Sequence, residues 1–244
     1  MARDRSVTPS PTAGSGTEPA RPSPRAEIDA FLRDVKSLQR TESGRGRLIF
    51  ALDATLSRQP TWDTACRLQA DMFREAAATG GLDIQLLYYR GLTECRASKW
   101  VSSADHLSDL MVRIDCRGGH TQIRKVLSHA RQETQRNTVQ ALVFVGDAME
   151  EAIDDLAHRA GELGMLNVPA FMFQEGSDPV AEQAFREIAR LTKGAYCRFS
   201  PGAAHELAEL LRAVAAYAAG GMKALQSLSS RHNAGAVRLI EQMR

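Results

Sequence analysis

The chain lacks the paired cysteines, long apolar runs and secretory leader that would place it in several large classes of protein. Its four cysteines, among 244 residues, are widely spaced and form no C-x-x-C pair, which argues against a zinc ribbon or a redox motif. No run approaches the roughly 18 apolar residues that a membrane span requires, and the proline-rich N-terminus has no apolar middle section of a signal peptide. We therefore expect a cytoplasmic protein without a membrane span.

A basic surplus that could neutralise nucleic-acid phosphates is also missing from the body of the protein. The net charge is only +2, and it comes from the terminal segments 1–25 and 220–244, so the residues between them are net acidic. Affinity for nucleic acid depends on neutralising phosphates with lysine and arginine. We therefore expect no nucleic-acid partner.

Composition and periodicity divide the chain into four segments. Residues 1–25 are rich in proline and small polar residues, which predicts a disordered tail. Residues 26–46 contain a helical stripe from Ile28 to Leu38, followed by a glycine-containing linker. Residues 47–219 form the predicted domain, and residues 220–244 a basic, amphipathic helical tail. That tail either docks on the same domain or binds a partner or a membrane surface.

Residues 47–219 alternate short apolar runs with amphipathic helical stretches. Strands that alternate with helices of this length imply right-handed crossovers and a mostly parallel sheet. We predict an α/β fold with a doubly wound, six-stranded sheet, one antiparallel edge strand at Glu94–Val101, and helices on both faces. The other five strands are predicted at Leu48–Leu52, Leu82–Tyr89, Ala141–Val145, Val168–Phe173 and Ala195–Phe199.

Oxygen-bearing side chains follow the predicted strands at the edge where an open α/β sheet binds ligands. Asp53, Thr55 and Ser57 follow the first strand at alternating positions, so that all three can face one side of an extended turn. Asp147 follows the Ala141–Val145 strand, and Thr121 stands at a predicted helix start after two glycines. Carboxylates and hydroxyls are hard donors that suit Mg²⁺ or Mn²⁺. We predict a metal site from these five residues.

These motifs resemble the von Willebrand factor type A (VWA) family, including its bacterial cytoplasmic members. The metal-ion-dependent adhesion site (MIDAS) of that family reads D-x-S-x-S, then a distant Thr, then a distant Asp, and the matching residues here are Asp53, Thr55, Ser57, Thr121 and Asp147. The resemblance covers about residues 47–219. It implies that hydroxyls bind the cation directly, that the acidic residues act partly through water, and that one coordination position takes an acidic group of a partner.

The resemblance further implies an adaptor that works in multiprotein assemblies. The assemblies of such relatives include AAA-type ATPase complexes. This chain departs from the family pattern at three positions. Thr55 replaces the usual serine, Leu56 stands where many members have glycine, and Arg58 brings a positive charge close to the predicted metal. The departures affect the metal site more than the fold.

Two other functions remain open at this point. One is a metal-free interaction scaffold that keeps only the fold. The other is a metal-assisted hydrolase or phosphotransferase, for which the sequence offers no P-loop, no G-x-S-x-G elbow and no H-E-x-x-H motif. The D-x-D-x-T motif of haloacid-dehalogenase-like enzymes would need a second aspartate where Thr55 stands. We therefore predict a metal-dependent protein-binding module and not an enzyme.

Overall fold

The computed structural model of the protein describes residues 44–77 and 79–243. The predicted tail at residues 1–25 and the predicted helix between Ile28 and Leu38 lie outside the described residues. From residue 44 onwards, strands and helices alternate in the predicted order. The strands are β1 (Gly46–Asp53), β2 (Leu82–Arg90), β3 (Glu94–Val101), β4 (Ala141–Gly146), β5 (Ala170–Glu175) and β6 (Ala195–Phe199).

The six strands form one sheet in the order β3-β2-β1-β4-β5-β6. Only β3 runs antiparallel to its neighbour β2, and the other four pairings are parallel. The α/β prediction is thereby confirmed, including the antiparallel edge strand. The strand order reverses between β1 and β4, which pair directly in parallel, so their carboxyl ends lie side by side.

Helices cover both faces of the sheet. They are α1 (Gln59–Ala77), α2 (Ala104–Met111), α3 (Ile123–Arg136), α4 (Ile153–Met165), α5 (Pro179–Thr192), α6 (Ala204–Ser230) and α7 (Ala234–Gln242), and a 3-10 turn (Leu56–Arg58) precedes α1. Alternation along β1 separates two apolar clusters. Leu48 and Phe50 pack in the cluster on one face, while Ile49 and Ala51 pack in the cluster on the other. Every residue of β1 is buried, as expected of a central parallel strand.

Buried packing continues beyond the predicted domain boundary at residue 219. Helix α6 runs on to Ser230 through a kink at Gly220 and Gly221, where Gly221 has a φ of +64°. Leu225 and Leu239 belong to the same buried cluster as β1. The side-chain amide of Gln242 bonds both backbone groups of Tyr196, so α7 covers the edge strand β6. Among residues 44–77 and 79–243, no helix is long and apolar enough to cross a membrane.

Two helices begin later than the sequence predicts. Helix α3 starts at Ile123 rather than near Thr121, and α4 starts at Ile153 rather than near Met149. The backbone N–H groups of Ile123 and Arg124 donate to the Glu151 carboxylate, so the segment before α4 caps α3. Because Glu151 bonds the start of α3, the segment that contains Glu151 does not continue α4 towards its N-terminus.

Candidate metal-binding site

The five predicted ligands lie together at the carboxyl edge of the sheet. Asp53 is the last residue of β1, and Asp147 directly follows β4, the strand beside it. The side chains of these two residues and of Thr55, Ser57 and Thr121 line one pocket of about 200 Å³, together with Leu56, Gly118, Gly119, Ala148 and Glu150. Residues that are far apart in the sequence thus meet where the strand order reverses.

Asp53 is fixed by hydrogen bonds on both carboxylate oxygens. Oδ1 accepts from the backbone N–H of Thr55 at 2.8 Å, and Oδ2 accepts from the hydroxyl of Tyr89 at 3.0 Å. Tyr89 lies directly opposite Asp53 in the β1–β2 register. Burial raises the pKa of Asp53 above its ordinary value, and the nearby Asp147 adds to that effect against the hydrogen bonds from Thr55 and Tyr89. A cation near this carboxylate would favour its charged form.

The two aspartates at the carboxyl edge of the sheet differ in their exposure to solvent. Asp53 is only 3% exposed, and the backbone of the next residue, Ala54, bonds the backbones of Tyr89 and Arg117. The Asp147 side chain keeps 29% of its surface exposed. The two carboxylates are therefore unequal, one buried and fixed and the other open to solvent.

Hydroxyl groups connect the two carboxylates. Thr55 Oγ1 and Ser57 Oγ are 3.3 Å apart, and Ser57 Oγ donates to Asp147 Oδ2 at 3.4 Å. In an octahedral Mg²⁺ site with ligands at about 2.1 Å, adjacent oxygens are about 3.0 Å apart. The observed spacings are close to that edge length, so these oxygens fit a small divalent cation after a shift of a few tenths of an ångström.

Thr121 is held in place by Glu150. Its hydroxyl accepts from the backbone N–H of Glu150 at 3.0 Å, while its own N–H donates to Glu150 Oε2 at 3.1 Å. His120 Nδ1 contacts the same carboxylate at 2.9 Å. The hydrogen bonds from His120 and from the Thr121 N–H lower the pKa of Glu150, and the bond with His120 has the larger effect. The hydroxyl of Thr121 keeps a lone pair that can face the pocket. The His120 ring pairs with Glu150 and is not part of the pocket lining.

The loop that carries Thr121 approaches the β2–β3 turn closely. A Cβ on Gly119 would lie 2.1 Å from the carbonyl oxygen of Gly91, so only glycine fits at this position. The N–H of His120 donates to the same carbonyl at 3.2 Å. This close contact brings Thr121 to the edge of the sheet, which explains the glycine pair ahead of it.

Arg58 brings a positive charge next to the site. Its Nη1 lies 3.7 Å from Asp147 Oδ2 and bonds the carboxylate of Glu175, at the end of β5. Thr61 also donates to Glu175, and the N–H of Gly202 donates to its other oxygen at 3.2 Å. The Arg58 side chain is buried between these groups. Arg58 therefore already compensates part of the negative charge at this edge.

The donor set is suited to a hard cation and depends on its hydroxyls. Within the described part of the chain, no three His, Cys, Asp or Glu side chains converge to hold a metal ion. Zinc and copper sites usually need such a cluster, whereas Mg²⁺ accepts one or two carboxylates and completes its shell with hydroxyls and water. The chemistry of the pocket thus fits Mg²⁺ or Mn²⁺ better than a softer metal.

Comparisons with solved structures show what this architecture is similar to. The VWA domain of SpRpn10 aligns with a TM-score of 0.54 at 12% identity, over 67% of this chain and 95% of that domain. An aerotolerance-related membrane protein from Bacteroides fragilis gives 0.53 at 17% identity, over 68% and 96%. Proximal thread matrix protein 1 from the mussel byssus gives 0.53 at 17%, over 80% and 52%.

At these identities the likeness establishes the fold and nothing finer. The chain has the α/β fold of von Willebrand factor type A domains, as the motifs predict. No family model matches the sequence, and no curated protein matches it either.

Three residues at the site were not found from the sequence. Tyr89 bonds Asp53, Glu150 holds Thr121, and Glu175 pairs with Arg58. The Tyr89 contact follows from the parallel register of β1 and β2, and could have been found by aligning the ends of the two predicted strands. The roles of Glu150 and Glu175 depend on loop conformations that no spacing rule gives.

Proposed function

We propose that this chain is a VWA-type interaction module that binds Mg²⁺ or Mn²⁺ through Asp53, Thr55, Ser57, Thr121 and Asp147. Through the metal it binds an aspartate or glutamate of a partner protein. The observation that best supports this proposal is the meeting of three separate sequence segments in one oxygen-lined pocket. Each segment alone has an ordinary structural explanation, but their convergence does not.

The balance of charge in the pocket favours binding over catalysis. Three of the five donors are neutral hydroxyls, so a divalent cation held by them keeps much of its charge and exchangeable water. A carboxylate of the partner can replace one of these waters and gains a strong contact that exists only with the metal. The two carboxylates among the five donors are both assigned to the cation, which leaves neither of them to act as a general base, and we propose no turnover.

The rim of the pocket also offers an apolar contact. Leu56, which lines the pocket, is 66% exposed, although it belongs to the turn that follows the Asp53 strand. An exposed leucine beside a cation suits a partner segment in which an acidic residue lies next to an apolar one. This pairing would give the contact specificity that the metal alone does not provide.

The class of partner follows from this chemistry. We propose a protein partner, within the cytoplasm, and membership of an AAA-type ATPase assembly is one possibility that the family resemblance suggests. The acidic body of the chain supports a protein rather than a nucleic-acid partner.

The proposal is tested by measuring metal and partner binding together. Mn²⁺ and Mg²⁺ affinities are measured by calorimetry on the full chain and on Asp53→Asn and Asp147→Asn, and partner capture is compared in Mg²⁺ and in EDTA. We expect both variants to lose at least about tenfold in metal affinity, or about 1.4 kcal/mol. Both should lose partner capture and remain folded. The matched control is Asp154→Asn, an exposed aspartate in the first turn of α4.

The results separate three functions. Capture that persists in EDTA and in both variants contradicts the metal-dependent module and favours the metal-free scaffold. Arg58 supports that scaffold as the second candidate, because a fixed positive charge already lies beside Asp147. Metal-dependent release of phosphate or cleavage of a substrate by the purified chain would favour the hydrolase.

A further inference from the structure

Arg58 is a buried cation whose hydrogen-bonding capacity is only partly used. The residue is 3% exposed, and its Nη1 contacts both Glu175 and Asp147. Its Nε and Nη2 are buried without a hydrogen-bond partner among residues 44–77 and 79–243. A guanidinium has five N–H donors, and a buried donor without a partner is desolvated without a compensating hydrogen bond. This arrangement is not the most stable one that an arginine could have.

The two carboxylates that face Arg58 are held differently. Glu175 accepts hydrogen bonds from Arg58, from the Thr61 hydroxyl and from the N–H of Gly202, so its carboxylate is well hydrogen-bonded within the protein. Asp147 is farther from Arg58, at 3.7 Å, and its Oδ2 also accepts from Ser57, another predicted metal ligand. Asp147 can therefore turn towards a metal while Arg58 stays with Glu175.

We propose that Arg58 is a built-in competitor of the metal and sets the affinity of the site. In the metal-free protein the guanidinium balances the charge of Asp147. A divalent cation that binds Asp147 must withdraw that carboxylate from Arg58 and then remain close to a like charge. This inference rests on the proposed metal site and adds a specificity-determining residue to it.

The competition has a consequence for the partner. Because Arg58 is buried, it does not itself contact a partner protein, and its effect is electrostatic. A carboxylate of the partner brings a negative charge next to both cations and offsets their repulsion. The metal should therefore bind weakly alone and more tightly with the partner, so that occupancy of the site reports the presence of both.

The experiment measures Mn²⁺ affinity by calorimetry, with no partner and no activity required. Arg58→Met removes the charge, and Arg58→Lys keeps it with a shorter side chain. The double variant Arg58→Met with Glu175→Gln keeps the charges balanced in case the single variant does not fold. Arg117→Met is the matched control, because Arg117 lies in the loop that bonds Ala54 but its side chain is 60% exposed.

We expect Arg58→Met to bind Mn²⁺ about tenfold or more tightly, since a like charge a few ångströms away is removed in a partly buried site. The double variant should also bind Mn²⁺ more tightly than the unaltered chain, but with a smaller gain, because it loses the negative charge of Glu175 as well. Arg58→Lys should remain within about threefold of the unaltered chain because it keeps the positive charge. Arg117→Met should also remain within about threefold, because a screened, exposed charge has a small effect.

Each result decides between the two proposals. If the unaltered chain binds Mn²⁺ and neither methionine variant binds it more tightly, Arg58 is not a competitor and the metal site stands. If only the methionine variants bind, the competitor is confirmed, and the proposed function then requires the unaltered chain to bind Mn²⁺ once a partner carboxylate is present. If no form binds, both are overturned.

Discussion

Two buried arginines at different places in the fold, Arg47 and Arg58, show how the same side chain can serve structure or function. Arg47 is in β1 and is 8% exposed, whereas Arg58 follows β1 and is 3% exposed. Each faces a buried carboxylate, Glu133 for Arg47 and Glu175 for Arg58. The two pairs differ in how many further contacts each arginine makes.

The Arg47 pair is extensively bonded. Nη1 donates to the carbonyls of Asn137 and Thr138 at 2.7 and 3.3 Å, and the guanidinium lies 3.9 Å from the centre of the Trp100 ring. Burial opposes the ionisation of Glu133, but hydrogen bonds from Trp100 and Arg136 and the nearby His129 hold its pKa below the ordinary value. A pair with this many contacts stabilises the fold.

The Arg58 pair leaves two buried nitrogens without partners among the described residues and has a second carboxylate, Asp147, at longer range. Because some of its hydrogen-bond donors are unused and it lies beside the predicted metal ligands, Arg58 is a group that can exchange partners. Burial alone therefore does not identify a structural ion pair. What identifies one is how many of its donors and acceptors are used.

The largest expected effect is on stability, from removal of Arg47. Arg47→Met removes the buried guanidinium that bonds the Asn137 and Thr138 carbonyls, contacts the Trp100 ring and pairs with Glu133, and it should lower the free energy of unfolding by about 3 kcal/mol. Urea denaturation measures this loss, and the Mn²⁺ affinity of the folded variant should not change. The control is Arg136→Met, which removes an exposed arginine from the same carboxylate and should cost less than about 0.5 kcal/mol. Equal losses in the two variants would contradict the structural role of Arg47.

The second effect is a stability loss that metal can offset. Arg58→Met should lower the free energy of unfolding by about 2 kcal/mol in EDTA, because Glu175 and Asp147 lose their counter-charge. At a fixed excess of Mg²⁺, its gain in stability should exceed that of the unaltered chain by about 1.4 kcal/mol for a tenfold tighter site. Denaturation with and without Mg²⁺ measures this gain. The same gain in Arg47→Met would show that the two arginines do not differ.

The fold could be predicted from the sequence because its signals are local and repeated. Strand β6 begins and ends at Ala195 and Phe199 as predicted, and β3 at Glu94 and Val101. Apolar runs between amphipathic helices specify parallel strands with little ambiguity. The helix starts near Thr121 and Met149 were predicted too early, because contacts between loops override local preference there.

The candidate site was predictable in its residue types but not in its energetics. The order of the motifs and the topology rule were enough to predict that Asp53, Thr121 and Asp147 would come together. The pairing of Arg58 with Glu175 joins residues 117 positions apart, and Asp53 bonds Tyr89, which is 36 positions away. No pattern within one element carries that information.

A third, smaller effect is a dependence of stability on pH, which we expect from His129, a neighbour of Glu133 in the Arg47 pair. Burial lowers the pKa of His129 below 6.5, against the opposing charge of Glu133, and Nε2 bonds the side chain of Gln85 at 2.8 Å. The unfolded chain then binds more protons, so the stabilisation is present above pH 6.5 and is lost as the pH falls through the folded pKa. Unfolding measured from pH 7 downwards should show this loss.

The pH effect has its own controls. His129→Gln should flatten the stability curve just below pH 6.5, whereas His106→Gln, at an exposed position of α2, controls for the loss of an imidazole in general. An unchanged slope in His129→Gln would show that protonation of His129 is not what lowers the stability below pH 6.5.

The smallest effect on stability is expected at Leu56, which lies in the same 3-10 turn as Arg58. Since Leu56 is 66% exposed, Leu56→Ser should change the free energy of unfolding by less than about 0.5 kcal/mol and leave Mn²⁺ affinity unaltered. Partner binding in Mg²⁺ should nevertheless weaken by about fivefold, because an apolar contact at the rim is lost while the metal contact remains. The control is Met165→Ser, at the far end of α4 and 86% exposed. If both serine variants capture the partner as well as the unaltered chain does, the partner is recognised through the metal alone and the apolar rim has no part in its specificity.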